Sequence, residues 1–241
     1  MNSRQSAAYE LSNEQIQVLI TGKFGDGCLH VNNIRKDLSL NFSYSTNGIH
    51  KEYIEYKKML LGNLVTAKIQ TVLNRGYKQN LIHRLSTIAC KAITDIATES
   101  LEESLYRMDE LGLALWFMDD GSLHKTKNFY NLNTQKYSKK INETLFVPFL
   151  KDKFGITATP TIERKKDGRE FWYLRIKKFD GAFIVSEIIR KYAPQCFYYK
   201  LISSETIQKW SKLQEELKSA DIDIESMNKR HLSNMLEKIS I

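Results

Sequence analysis

Apolar and polar residues follow helix and strand periods along the chain. Residues 11–27 carry apolar side chains at helical spacing. A capping box formed by Ser12 and Gln15 predicts where this helix begins. Residues 37–45 alternate between apolar and polar positions, which is typical of a strand with one buried face. The later patterns predict a helix at 50–63, strands at 65–74 and 79–88, and a helix at 90–104.

The same order then starts again. A second strongly apolar helix is predicted at 108–121. After it the patterns favour strands at 121–126 and 128–135, a helix at 139–154, strands at 156–164 and 169–177, and a helix at 181–192. Each pass reads helix, two strands, helix, two strands, helix, which indicates an internal duplication. We therefore expect an α+β protein with halves at 1–104 and 105–203. Two charged amphipathic helices, at 204–219 and 224–239, form a tail expected to pack on the surface.

The charge balance favours a polyanionic partner. Lys and Arg number 36 against 28 Asp and Glu, a formal net charge of +8. The three cysteines are dispersed, which fits a reducing interior better than a disulfide framework. Neither an apolar signal core nor a membrane-spanning apolar run is present, so we expect a soluble, intracellular protein with no membrane partner.

Each predicted half opens with an apolar helix that delivers an aspartate followed by glycine. These aspartates are Asp26 and Asp120, 94 residues apart. A carboxylate at a helix C-terminus opposes the helix dipole, so a cation opposite it is expected. Carboxylate and free carbonyl oxygens suit Mg²⁺. One Asp-Gly pair would be an ordinary turn, but the repeated pair predicts a metal site between the two helices.

Both nine-residue segments resemble a known family. LITGKFGDG at 19–27 and LALWFMDDG at 113–121 are similar to the paired motifs of single-chain LAGLIDADG homing endonucleases. The runs LNTQ at 132–135, YKL at 199–201 and ISSET at 202–206 also resemble that subgroup. The resemblance covers about residues 12–206. It implies two pseudo-symmetric αββαββα halves whose antiparallel sheets form a DNA-binding saddle, and staggered cleavage of both strands with Mg²⁺.

The resemblance also implies site residues. Asp26 and Asp120 would be catalytic and metal-binding. Independently of the resemblance, the backbone carbonyls of Gly25 and Asp119 are expected as further ligands, because the last carbonyls of a helix have no internal partner. Lys200 matches the basic residue that assists catalysis in the second half. The first half has no clear counterpart, and its candidates are Lys91 and Arg84. Mn²⁺ is expected to replace Mg²⁺, and Ca²⁺ to occupy the site without supporting catalysis.

Polar side chains on one face of each predicted sheet suit DNA. Asn and Gln match adenine edges, Arg matches guanine, and Lys and Arg hold phosphates. The alternative is an ordinary solvated sheet face. The predicted DNA-binding residues are Ser39, Asn41, Ser43, Lys68, Gln70, Asn80, Arg84, Asn131, Asn133, Gln135, Arg169, Tyr173, Arg175 and Lys177. His30 and His124 each follow a candidate aspartate by four residues, by coincidence or as contacts near the cleaved phosphates.

The expected function is site-specific cleavage of a long duplex DNA site, as in intron homing. Two motifs in one chain predict a monomer. The expected setting is the cytoplasm of a bacterial or phage-infected cell, or an organelle. The alternatives are a nickase, an intron RNA maturase, or another non-cleaving nucleic-acid-binding protein on the same fold, with intron RNA as partner.

Overall fold

The computed structural model describes residues 10–32, 41–74, 80–124, 129–177, 179–224 and 227–239. Its first half contains four helices: α1 (Asn13–Phe24), α2 (Lys51–Leu61), α3 (Lys91–Thr98) and α4 (Leu101–Arg107). The strands of that half are β1 (Gly27–Asn32), β2 (Asn41–Gly48), β3 (Gln70–Leu73) and β4 (Leu81–Ser86).

The second half repeats this order. Its helices are α5 (Glu110–Asp120), α6 (Lys139–Ile141), α7 (Val147–Phe154) and α8 (Asp180–Tyr192), and a π-helical segment, Asn142–Phe146, joins α6 to α7. The strands are β5 (Gly121–His124), β6 (Phe129–Asn133), β7 (Ala158–Arg164) and β8 (Glu170–Ile176). A short 3₁₀ helix, Gln195–Lys200, and the tail helices α9 (Ser204–Ser219) and α10 (Lys229–Lys238) follow.

Two four-stranded antiparallel sheets correspond element by element. Their strand orders are β1-β2-β4-β3 and β5-β6-β8-β7. In both, the strand that follows the apolar helix lies at one edge, and the outer face presents polar side chains. The predicted α+β duplication is confirmed, with antiparallel sheets in both halves.

Helices α1 and α5 pack against each other in the middle of the molecule. Every residue of α5 from Leu111 to Met118 is buried. A helix that is apolar on all sides must be enclosed on all sides, and here the two sheets and α8 surround the pair. The capping box of Ser12 and Gln15 is present at the start of α1, as predicted. Trp116 is fully buried and packs 5.0 Å from the Phe24 ring centroid, so it is a core residue.

The first half differs from the sequence prediction in three places. Strand β1 directly follows Asp26; the predicted order includes two strands here, but a residue range was predicted for only the second. The strand predicted at 65–74 is limited to Gln70–Leu73, because the chain before it runs as a short 3₁₀ helix and irregular backbone. The single helix predicted at 90–104 is split, since Ser100 and Glu103 form a capping box that starts α4. Residues 37–40 and 75–79 lie outside the described part of the chain.

The tail packs on the second half, as predicted. The Trp210 ring of α9 stacks on Phe179 at 4.3 Å between centroids, and Leu213 and Leu217 are buried beside it. The second tail helix starts at Lys229 rather than at residue 224. Among the described residues, every helix is too short or too polar to cross a lipid bilayer.

Candidate active site between the two halves

Asp26 and Asp120 are brought to neighbouring helix ends. Gly25 ends α1 by donating its N–H to the Thr21 carbonyl at 2.8 Å, and Asp26 follows it. Asp120 is the last residue of α5. The two ends are in contact, since a Cβ placed on Gly25 would lie 2.8 Å from the Asp119 Cβ. The pairing of the two helix ends that the sequence predicted is therefore present.

The electrostatics of this pair are unfavourable to two anions. Burial, together with the charges of Asp26 and Asp119, raises the pKa of Asp120 to about 7. Burial and the Asp119 charge also raise the pKa of Asp26, while Lys57, Lys200 and Lys136 act in the opposite direction. The nearby lysines do not fully offset the cost of ionising these two carboxyl groups. A bound metal ion would supply the additional positive charge, so the site is suited to one.

The protein supplies only part of a metal coordination shell. Within the described ranges no cluster of three or more His, Cys, Asp or Glu side chains has metal-binding geometry. Asp26 and Asp120 are hard oxygen donors of the kind that Mg²⁺ prefers. The carbonyls of Gly25 and Asp119, water and phosphate oxygens are the remaining donor types that fit. This donor set is consistent with a metal ion that is completed by a phosphate substrate.

The sequence predicts the backbone carbonyl of Asp119 as a metal ligand, and the structure shows that its side chain forms a buried ion pair. Its carboxylate is 1% exposed and accepts from the Lys57 ammonium at 2.8 and 2.9 Å. The Tyr53 hydroxyl donates to the same carboxylate at 2.7 Å. Burial alone would lower the pKa of Lys57, but the charge of Asp119, its hydrogen bond and the nearby Tyr44 and Asp26 together outweigh burial, and the pKa is raised. This buried ion pair joins α2 of the first half to the end of α5.

Lys200 lies at the same helix end. It is 7% exposed, and its ammonium donates to the carbonyls of Phe117 at 3.2 Å and Met118 at 2.6 Å. Burial lowers the pKa of Lys200 to about 8, although three nearby aspartates oppose this effect. Lys200 therefore lies beside the last turn of α5, and its catalytic role stays a prediction.

Lys136 and Tyr137 were missed by sequence reasoning. The Tyr137 hydroxyl donates to the Lys23 carbonyl at 2.9 Å, which places the turn after β6 against the last turn of α1. Burial lowers the pKa of Lys136, and the charges of Asp120 and Asp26 oppose that effect. Both residues directly follow the LNTQ run at 132–135, and that run is the feature of the sequence that could have indicated them.

Lys57 was missed as well, although its position carried a signal. It falls on the buried stripe of α2 with Tyr53, Ile54 and Leu61, where a lysine needs a buried partner. The two candidates proposed for the first half lie elsewhere. Lys91 pairs with Asp95 on the surface of α3, and Arg84 lies on the outer face of the first sheet.

A groove crosses the outer face of the second sheet and reaches Asp120. The groove is lined by four residues that the sequence predicts to bind DNA. Three belong to β6 and the turn after it, Asn131, Asn133 and Gln135, and the fourth is Tyr173 of β8. Arg175 donates to Tyr173 at 2.8 Å and to Asn131 at 3.4 Å, on the same face. Ser122, Glu163, Lys165 and Phe171 also line the groove and were not predicted.

The remaining predicted residues of this half are solvent-exposed. Arg169 is engaged by Asp167 at 2.7 Å near the hairpin tip, and Lys177 follows β8.

The first sheet presents a corresponding depression. It is lined by Lys68, Gln70 and Arg84, which the sequence predicts as DNA-binding residues, and by Ser45, Asn47 and Ser86. Asn80 is exposed just before β4. Ser43 lies on this face of β2 but is only 7% exposed, so it presents little surface. Ser39 and the Asn41 side chain lie outside what the structure describes.

His30 and His124 occupy matching places on the edge strands β1 and β5. The His30 ring contacts the Ser45 hydroxyl at 2.7 Å, and His124 stacks on Phe129 at 4.7 Å. Both are on the outer faces, four residues from Asp26 and Asp120. This correspondence follows from the duplication and extends it to the strands beside the site.

A family model described as the LAGLIDADG DNA endonuclease family matches residues 16–183. The homing endonuclease I-WcaI bound to its DNA recognition sequence is similar in structure, with a TM-score of 0.65 and 21% identity, over 80% of this chain and 88% of that one.

A structure of I-DmoI, in complex with its nicked target DNA and in the presence of manganese, has a TM-score of 0.49. It is 14% identical over 74% of this chain and 97% of its own. No curated protein matches the sequence.

Proposed function

The chain belongs to the LAGLIDADG DNA endonuclease family, whose members are site-specific DNA-cleaving hydrolases, and from that premise we propose how this chain binds and cuts DNA. Its two sheets take up one long duplex site, and Asp26 and Asp120 hold the divalent metal ions at the centre. The observation that supports this proposal is the contact between the ends of α1 and α5, because these two helix ends carry Asp26 and Asp120.

The outer faces supply the DNA contacts. Asn131, Asn133 and Gln135 offer amide groups that can read base edges, and Arg175 offers a guanidinium for bases or phosphates. Lys68 and Arg84 do the same on the first sheet. The net charge of +8 supports association with the phosphate backbone. With one sheet for each half of the site, one chain covers both half-sites as a monomer.

The reaction is hydrolysis of one phosphodiester bond in each strand. A water oxygen forms a bond to the scissile phosphorus, the bond from phosphorus to the 3′ oxygen breaks, and that oxygen leaves with a proton. Bound Mg²⁺ would lower the pKa of water and stabilise the charge on the phosphate and the leaving oxygen. Asp26 and Asp120 hold the metal ions as carboxylates, and Lys200 stabilises negative charge from the second half.

The test is cleavage of a randomised duplex library by the purified chain, with Mg²⁺ and with EDTA. We expect a Mg²⁺-dependent cut at one long site. Asp26→Asn and Asp120→Asn should abolish the cut while binding to the recovered site persists. Asp152→Asn, an exposed carboxylate change on α7, is the matched control and should cut normally. Cleavage that persists in both site variants would refute the assignment. Preference for folded intron RNA over duplex DNA would favour a maturase.

A further inference from the structure

An aromatic ring of β6 lies between two side chains on the outer face of the second sheet. The Phe129 ring stacks on His124 of β5, with 4.7 Å between the ring centroids and 30° between the planes. The Arg175 guanidinium of β8 lies over the same ring, 4.9 Å from its centroid. Because β6 lies between β5 and β8 in the sheet, the two neighbours approach Phe129 from opposite sides. Both faces of this ring are therefore covered, and neither is open to a stacked base.

Two hydrogen bonds hold the Arg175 guanidinium in place. Its Nη2 donates to the Tyr173 hydroxyl at 2.8 Å, and its Nε donates to the Asn131 side-chain oxygen at 3.4 Å. The described residues take up no other N–H group of this guanidinium, so its Nη1 end keeps a planar pair of donors. Such a pair matches the O6 and N7 acceptors of guanine in the major groove.

The contact with Phe129 orders Arg175 before DNA arrives. A long arginine side chain loses conformational freedom when it binds, and this loss weakens binding unless the side chain is already held. An arginine that is not held can also turn towards a neighbouring phosphate or another base. The ring of Phe129 therefore favours one orientation of the guanidinium, and with it the discrimination of one base.

The first sheet carries serines at the matching positions. The two sheets can be matched position by position, because the residue after each aspartate starts its edge strand. Ser43 of β2 then corresponds to Phe129 of β6, and Ser86 of β4 corresponds to Arg175 of β8. Neither serine has a ring or a guanidinium, so the stack is a feature of the second sheet alone at these positions.

We propose that Phe129 is a positioning residue for DNA recognition, which holds Arg175 so that its guanidinium reads a guanine in the half-site under the second sheet. This inference rests on the proposed endonuclease function. Arg175 pairs with Asn131, and Asn131 pairs with Ser122, two residues after Asp120. The guanine therefore belongs to the part of the half-site near Asp120. The half-site under the first sheet has no counterpart of this contact, so the two half-sites are read unequally.

The experiment measures binding of the purified chain to the recovered duplex site in EDTA, with every base pair replaced in turn. Wild-type protein should prefer one guanine over the other bases by about tenfold or more. Phe129→Leu should reduce the preference at that position to about threefold or less, because Arg175 is no longer ordered. Phe129→Tyr keeps the ring and should restore the preference. Arg175→Lys keeps the charge but lacks the planar donors, so it should lose the preference with an unchanged salt dependence of binding.

A matched control removes a similar contact away from the two sheets. The Lys153 ammonium of α7 lies 5.7 Å from the ring centroid of Tyr106, an exposed residue of α4. Tyr106→Leu should bind with the wild-type preference at every position. Phe129→Ser, which introduces the residue of the first sheet at this position, is a second variant without the ring and should lose the preference as Phe129→Leu does.

The outcomes separate this inference from the function on which it rests. Failure of wild-type protein to select and cut any duplex would overturn the endonuclease proposal itself. If wild-type protein selects a site but the variants without the ring keep the guanine preference, or lose affinity equally for every base at that position, Phe129 is not a positioning residue. A preference that survives Arg175→Lys would show that Arg175 does not read the base. An equal guanine preference at the mirror position of the other half-site would contradict the unequal reading.

Discussion

Replacing Asp120 with asparagine should stabilise the protein while abolishing cleavage. Burial and neighbouring carboxylates raise the pKa of Asp120 from 3.8 to about 7. Between these two pH values the folded state holds a proton that the unfolded state has released. The free energy of unfolding therefore falls as pH rises from about 4 to about 7, and the loss remains at higher pH. Asparagine cannot ionise, so Asp120→Asn removes this dependence.

The magnitude follows from the two pKa values. At 1.36 kcal/mol per pKa unit, their difference corresponds to roughly 4 kcal/mol. Asp120 is partly exposed, and solvent screening reduces the effect to roughly 1–2 kcal/mol. In a chain of this size each kcal/mol moves the melting temperature by about 2–4 °C. The variant should melt roughly 2–8 °C above wild type at pH 8 without metal.

The assay is thermal unfolding in EDTA at pH 4 and pH 8, followed by a Mg²⁺ titration at pH 8. The two proteins should melt together at pH 4, and Asp120→Asn should melt higher at pH 8. Mg²⁺ should then raise the melting temperature of the wild-type protein more than that of the variant, because only the wild-type protein has the Asp120 carboxylate as a metal ligand. Equal melting temperatures at both pH values, or a less stable variant at pH 8, would refute the reasoning.

Three further changes test the interface and the DNA surface. Lys57→Met should destabilise the fold by about 3–5 kcal/mol in urea denaturation, because Asp119 stays buried without its counter-ion. Adding Asp119→Asn should recover most of the lost stability. A double variant whose loss equals the sum of the two single losses would contradict this. Gly25→Ala places a methyl group against Asp119 and should cost about 1–3 kcal/mol and slow cleavage, whereas Gly48→Ala meets only an ordinary contact and is the control. Arg175→Ala should weaken binding to the recovered DNA site by about 1–3 kcal/mol, measured over a series of salt concentrations. A changed dependence of affinity on salt would indicate a phosphate contact, and an unchanged dependence would indicate a base contact. Unaltered affinity would show that Arg175 is not in the interface.

The sequence predicted those parts of the fold that depend on period and local capping. Helix α1 begins at its Ser12 cap, and α9 spans the predicted residues, because both signals act within one turn of chain. Strand β1 was counted in the predicted order but not located, since its six residues directly continue the Asp26 turn and alternate weakly. The break between α3 and α4 was missed because a second cap, at Ser100, lies inside an otherwise helical pattern.

For the site, the sequence predicted the residues that lie within recognisable motifs. It did not predict the residues that long-range contacts bring to the site. Asp26, Asp120 and Lys200 each belong to a recognisable run. Tyr137 lies 114 residues from Lys23, to whose carbonyl its hydroxyl donates, and no local pattern could indicate that pairing. Lys57 lies 62 residues before Asp119, so its buried position could be inferred from α2 but its partner could not.

These long-range contacts cross between the halves in both directions. Lys57 and Tyr53 of the first half hold the end of α5, and Tyr137 of the second half holds the end of α1. Neither aspartate is therefore positioned by its own half alone. Undocking of the halves would leave Lys57 and Asp119 without each other, a large penalty for groups so deeply buried. The cost of separating the halves thus falls on the residues that build the site, so a change that loosens the interface should reduce cleavage before it unfolds either half.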